Sequence, residues 1–386
     1  MMRSRFSLGI VLLLLASCAA PTSPEREAGG AQQLPVELVD DRELIVLTAL
    51  PSEPVIEQAV ARGYVLTAVH PLPELDDDLL VFRIPPGRTI PEAIDEIEAA
   101  SPGVTAGAHH LYRLQPVGGA VADRFYANAL IGWPPEGCRA FRSVGMIDAG
   151  VPPTHAGLAD GRIVQQRFSD EDGSLATDHG TLMADLLIGP GRLSGTTLHS
   201  ANVIVPSLEG GDATGVVAIL RAADWLRAQD VDLVNVSLAG PRNKLLNRGL
   251  GRAADDGMVF VAAAGNEGPS SPPRYPAAFP FVLAVTAVDQ ELDVYDRAVQ
   301  GEQIDVAAPG VDILLKDEGR LRILSGTSAA APFVTAAIAA DPELSNLGVG
   351  DVRRLLSADA LDLGTAGRDP VFGAGLIATP EQCRRG

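Results

Sequence analysis

The chain has 386 residues, 46% hydrophobic and 20% charged, a balance that excludes the disordered class and suits two folded units, one large enough for a full α/β core. Only 4% of the residues are aromatic, so the core must be built mostly from Ala, Val, Ile and Leu. The formal net charge of −19 serves solubility and argues against a nucleic-acid partner, because phosphate binding needs a positive field that this balance does not supply.

The first residues carry an address rather than a fold. Arg3 and Arg5 precede an apolar run over residues 8–16, followed by the small residues Ser17, Cys18, Ala19 and Ala20, the pattern of a secretory signal. The run is too short to cross a bilayer as an ordinary helix, and no later segment has the ~20 uninterrupted apolar residues that spanning requires. Leu15-Ala16-Ser17-Cys18 resembles the lipobox of bacterial lipoproteins, in which cleavage leaves the cysteine as a lipid-modified N-terminus, so that residues 1–18 form the signal. Ordinary cleavage after Ala19 or Ala20, with Cys18 discarded, is the alternative. Either outcome leaves Cys138 and Cys383, an even pair compatible with a disulfide in an exported protein.

Residues 19–33 are rich in Pro, Gly, Glu and Ala without an apolar period and read as a linker. Next, strands are expected at 43–50, 64–70, 78–84 and 104–115, with helices at 52–63 and 89–100. Ser52 and Thr89 are the expected caps, each with a Pro in or near the first turn. This is the order of a small split βαβ domain, and alone it has no chemistry. From about residue 124, apolar strand-like runs alternate with helical stretches, as in an α/β fold with a doubly wound, mostly parallel sheet. Strands are expected at 144–147, 202–205, 233–237, 259–263 and 282–288, and helices at 180–187, 215–228, 245–255 and 328–340. Pattern alone does not resolve the strand before His179. Ligands of such sheets sit beyond the carboxyl ends of the strands, so polar residues there are the ones to search.

Four segments stand out. Asp148 is the first charged residue after the apolar Met146-Ile147, where a strand meets the turn at Gly150; taken singly, it also suits an Asp that caps its own turn. His179, in Asp178-His179-Gly180-Thr181, opens a helix with an apolar face, although a lone histidine is more often structural. Ser328, in Gly326-Thr327-Ser328-Ala-Ala-Ala-Pro332, starts a helix whose free amides and positive dipole end favour a developing oxyanion; a plain N-cap serine is its other reading. A buried strand delivers Asn266 to a tight turn in Ala264-Gly265-Asn266-Glu267-Gly268, a setting equally suited to a turn residue.

Taken together, Asp148, His179, Asn266 and Ser328 in that order, each at a strand-to-helix junction, resemble the subtilisin-like serine peptidase family over most of residues 143–340. The resemblance implies a subtilisin-like peptidase domain at 124–386 and hydrolysis of peptide bonds through an Asp148-His179-Ser328 triad, with Asn266 in the oxyanion hole. It also implies that Ser237, Leu238, Ala239 and Gly240 pair with the substrate backbone, and that Ala263, Ala264 and Gly265 form the opposite wall of the primary specificity pocket. Small walls suggest an apolar or aromatic residue before the cut. The βαββαβ unit at 34–123 then resembles a ferredoxin-like α+β propeptide whose tail, near 109–115 or up to 123, occupies the cleft. Ala149 stands where the family more often has Ser or Thr, Leu182 where a second histidine is frequent, and Ala239 where glycine is usual in the substrate strand. No cofactor is required, and a structural calcium of the kind often bound in this family cannot be assigned to any acidic run.

The expected partners are protein or peptide substrates, the chain's own propeptide, and a membrane if Cys18 is lipidated. The expected location is the cell envelope, or otherwise the periplasm or the outside. A catalytically silent scaffold serving as an envelope binding protein is the rival reading; it sits poorly with the retention of all three triad residues and Asn266.

Overall fold

The computed structural model describes residues 37–49, 51–114, 125–169, 178–205, 212–317 and 320–384. The signal segment, Cys18, the linker and residues 115–123 of the expected propeptide lie outside the described residues.

The N-terminal unit comprises β1 (Glu43–Thr48), α1 (Glu53–Ala61), β2 (Val65–Leu72), β3 (Asp77–Arg83), α2 (Ile90–Ala100) and β4 (Thr105–Ala108). Its antiparallel sheet has the order β2-β3-β1-β4. Because successive side chains of a strand face opposite ways, Leu44, Val46, Leu80 and Phe82 pack on Val55, Ala59, Ala93 and Ile97 of the two helices. Ile45, Leu47, Leu79 and Val81 face the other way, into a second apolar cluster. Thr89 caps α2 in a reciprocal box with Glu92, as expected. Ser52 does not cap α1: its hydroxyl donates instead to Asp78 Oδ2 at 2.6 Å, a buried carboxylate competing for it more strongly than the helix amides.

The expected strand at 104–115 is two strands. The chain breaks at His109-His110, and β5 (Leu111–Leu114) leaves the N-terminal sheet.

The larger unit is a seven-stranded parallel sheet. In chain order its strands are β6 (Val144–Asp148), β7 (Ile163–Arg167), β8 (Leu198–Asn202), β10 (Leu233–Val236), β12 (Val259–Ala263), β13 (Val282–Val288) and β14 (Val306–Pro309). Two short strands intervene, β9 (Ala213–Gly215) and β11 (Leu238–Ala239). The sheet order β14-β13-β12-β10-β6-β8-β7 puts the reversal of winding at β6. The helices are α3 (Asp178–Ile188), α4 (Val216–Ala228), α5 (Lys244–Asp255) and α6 (Thr327–Ala339). Helices α3 and α6 cover the face bearing Val144, Met146, Val259 and Val261, whereas α4 and α5 cover the face bearing Ile147, Val234, Val236 and Phe260. Every residue of α6 is buried, consistent with a helix apolar all round.

Strand β8 ends at Asn202, where the sequence pattern places a strand's beginning. Val203 and Ile204 are buried in the cluster under α4, so their apolar character reports packing after the strand rather than the strand itself. The strand before His179 is β7, at the edge of the sheet. A disulfide joins Cys138 to Cys383, their Cα atoms 5.5 Å apart. Among the described residues, no helix is long and apolar enough to cross a membrane.

Candidate active site

The switch point of a doubly wound sheet opens a crevice at the carboxyl ends of its strands, and here that point is the end of β6, occupied by Asp148. The side chain is 0% exposed. Its Oδ1 accepts from the Ala149 amide at 2.7 Å and from His179 Nδ1 at 2.7 Å. A carboxylate can only accept, so Nδ1 carries the proton and Nε2 of the neutral ring is left with a lone pair. Gly180 permits this approach: a Cβ there would lie 2.2 Å from the carbonyl oxygen of Ala149, so α3 could not otherwise seat its first turn on the loop after β6.

Ser328 is the second residue of α6, which packs against α3 on the same face of the sheet. His179 and Ser328 thus open two neighbouring helices. Among the described residues, the buried atoms Ser328 Oγ and His179 Nε2 have no hydrogen-bond partner. Ser328 also lies in the first turn of its helix, where the backbone N–H groups have no intrahelical acceptor.

Asn266 follows β12, and its orientation is fixed by a residue without a role in the sequence reading. Thr327 donates to Asn266 Oδ1 from its backbone N at 3.0 Å and from its hydroxyl at 2.9 Å, and the same hydroxyl accepts from the Gly265 amide at 3.1 Å. With Oδ1 held by Thr327, the amide nitrogen of Asn266 is turned to the opposite side. The only sequence signal for Thr327 is its place immediately before Ser328.

Ser237, Leu238, Ala239, Ala263 and Ala264 are buried. An extended segment already runs beside them: β5 is the middle strand of a three-stranded antiparallel sheet, between β9 and β11. Leu114 pairs with Leu238 and Arg113 with Ala239. Tyr112 of this strand is 0% exposed, and its hydroxyl donates to the Pro241 carbonyl at 2.9 Å. Gly240 makes room for the ring, since a Cβ there would lie 2.3 Å from it. The methyl of Ala239 does not prevent the pairing.

Gly265, at φ +111°, faces two charged side chains to which the sequence reading gave no role. A Cβ there would lie 2.7 Å from Glu267 Oε2 and 2.9 Å from Arg274 Cγ. Among the described residues, no group of three or more His, Cys, Asp or Glu side chains is arranged to hold a metal ion.

A carboxylate-histidine pair at the switch point, with a serine at the head of a central helix packed on the histidine's own helix, is the layout of a subtilisin-like α/β fold. The chain belongs to the subtilase family: residues 142–375 match Peptidase S8, described as the Subtilase family. It is 30% identical over 247 residues to the minor extracellular protease Epr of Bacillus subtilis (strain 168), covering 61% of this chain and 37% of Epr. It is 30% identical over 246 residues to subtilisin DY of Bacillus licheniformis, covering 61% of this chain and 88% of that protein. The crystal structure of fervidolysin from Fervidobacterium pennivorans, a keratinolytic enzyme related to subtilisin, superposes with a TM-score of 0.71 at 23% identity, over 94% of this chain and 64% of fervidolysin. That last likeness speaks for the fold.

Proposed function

We propose that the chain is the precursor of an exported serine endopeptidase. The observation that carries the reading is the 2.7 Å bond from His179 Nδ1 to the fully buried Asp148, which leaves Nε2 as the basic nitrogen at the head of α3, next to the helix that Ser328 opens. In this mechanism Nε2 takes the Ser328 proton as the hydroxyl oxygen attacks a peptide carbonyl, then gives it to the leaving amine. Asp148 holds the ring and stabilises the imidazolium. The Ser328 amide and the Asn266 side chain donate to the oxyanion. No cofactor takes part, and no calcium site is assigned.

The substrate, a protein or peptide, would bind extended as a strand between β9 and β11. In the precursor, β5 holds that place, which supports reading residues 34–123 as a propeptide that blocks the cleft of the domain at 124–386. Export by the 1–18 signal, with lipid attached at Cys18 as the hold on the cell envelope, completes the proposal.

A fluorophosphonate probe tests it. The probe should label the wild type and leave Ser328→Ala unlabelled, and the variant should accumulate as full-length precursor in cells lacking another processing protease. Equal labelling of the two proteins, or normal maturation of the variant, counts against Ser328 as the nucleophile.

A further inference from the structure

Small walls alone would make an open apolar pocket, but a half-buried ion pair stands against them. Arg274 Nε lies 3.2 Å from Glu267 Oε1, with the side chains 16% and 22% exposed. Both approach the place where Gly265 lacks a Cβ. The next residue, Tyr275, exchanges backbone hydrogen bonds with Gly240, Tyr275 N to Gly240 O at 3.0 Å and Gly240 N to Tyr275 O at 2.9 Å. Arg274 is therefore held between the two segments proposed as pocket walls, 237–240 and 263–265, and Asn266 lies next in sequence to Gly265.

We infer that the Arg274-Glu267 pair lines the primary specificity pocket and selects glutamine as the residue before the scissile bond, an inference that rests on the peptidase reading above. The two charges cancel, so the choice is made by hydrogen bonding. A Phe or Leu side chain would strip water from both groups and return no hydrogen bond. Glu would add a second carboxylate beside Glu267, and Lys or Arg a second cation beside Arg274; each would leave a charge without compensation in a half-dry site. A carboxamide avoids both costs, since its oxygen accepts from the guanidinium and its NH2 donates to the carboxylate. Glutamine has one methylene more than asparagine with which to reach the pair. The chain's own cleft-filling strand ends at Leu114, and the residue that follows in sequence is Gln115.

The test uses the mature enzyme and peptides that differ only in the residue before the cut: Gln, Glu, Lys, Phe or Leu. The wild type should cleave the Gln peptide with a kcat/KM about tenfold or more above the others, the discrimination expected when a buried polar group is left unpaired. Arg274→Gly should cancel that advantage and raise cleavage after Phe, while Glu267→Gln should move the preference towards Glu. Best cleavage by the wild type after Phe, Leu, Lys or Glu overturns the inference, as does a Gln preference that survives in both variants. Fluorophosphonate labelling of all three proteins reads the nucleophile independently of the pocket. A wild type that labels but does not favour Gln refutes the pocket alone; one that neither labels nor cleaves refutes the peptidase reading and the pocket with it.

Discussion

The N-terminal sheet and the seven-stranded sheet are both packed on two faces, but they bury their polar side chains in different places. In the larger unit Asp148, His179, Ser237, Asn266, Thr327 and Ser328 are buried around the carboxyl ends of the strands. In the N-terminal unit the fully buried carboxylate Asp77 meets Arg248 through two bonds, 3.0 Å from Nε and 2.6 Å from Nη2, and Arg252 Nη1 at 2.8 Å. Around it, Lys244 reaches Glu98 at 2.5 Å, and Asp224 of α4 accepts from the Glu74 amide at 2.8 Å. An apolar face rimmed by charge pairs is the anatomy of an interface between separable partners. In the larger unit the buried polar groups gather instead at the carboxyl ends of the strands, where α/β sheets place their ligand sites. On the propeptide reading proposed above, chemistry and docking should therefore respond to different mutations.

The largest expected effect is on chemistry. Asn266→Ala should lower kcat about 10²–10³-fold, a magnitude taken over from a subtilisin, with KM nearly unchanged, because the lost bond forms mainly to the transition-state oxyanion. Inhibition by a separately made 34–123 segment should not change. Active-site-titrated kcat, measured beside Tm, decides the matter. An intact rate with a lowered Tm would make Asn266 a turn residue only.

Docking should break at Asp77. Burial pushes its carboxyl up while the Arg248 and Arg252 guanidiniums pull it back, so the cluster specifies the docked geometry more than it drives it. Removing the charge still leaves two arginines facing a neutral amide, a loss of about 2–5 kcal/mol for a buried hydrogen-bonded charge pair. Asp77→Asn in the 34–123 segment should thus raise its inhibition constant at least thirtyfold, while Arg248→Ala in the mature enzyme should weaken inhibition and leave kcat on small peptides unaltered. Equal inhibition by the Asp77→Asn segment and the wild-type segment would mean that the apolar face of the sheet does all the docking.

The same contrast governs what could be read from the sequence. A run buried on both sides, such as Val259–Ala263, announces its own terminus, so Asp148 and Asn266 could be singled out as the polar residues after such runs, and His179 and Ser328 as the polar residues that open apolar helices. Segments whose structure depends on a distant partner could not. Leu111–Leu114 carries no local mark of leaving one sheet to lie between β9 and β11. Ile163–Arg167 contains Gln165 and Gln166 because it is an edge strand, and so does not look buried. Val306–Pro309 is short and ends in proline, tolerated because β14 is the opposite edge. Arg274 belongs to no motif, and the pairing of the next residue, Tyr275, with the distant Gly240 is what sets it against Gly265.

The smallest expected effect is the pH dependence of docking, in which one group from each unit acts in opposition. Asn243 caps α5 by accepting at Oδ1 from the Leu245 and Leu246 amides, which commits its Nδ2 to donate, to the Ala108 carbonyl and to His110 Nδ1, each at 3.1 Å. His110 Nδ1 is therefore an acceptor in the docked state, and burial, with His109 nearby, holds the ring below its ordinary 6.5. The undocked segment takes up that proton first, so His110 weakens docking as the pH falls below about 6.5. Asp224 works the other way. Burial pushes it up to about 6 from an ordinary 3.8, so docking takes up a proton between those values and strengthens as the pH falls through that window. Followed from pH 7.5 to 4.5, the inhibition constant of the 34–123 segment should be raised by the His110 contribution and lowered by the Asp224 contribution, the latter by at most about thirtyfold. His110→Asn should abolish the weakening that begins near pH 6.5, and Asp224→Asn in the mature enzyme should remove the compensating gain, making docking more sensitive to acid. If both variants follow the wild-type curve, neither group changes its protonation on docking, and the charged rim acts through its fixed ion pairs alone.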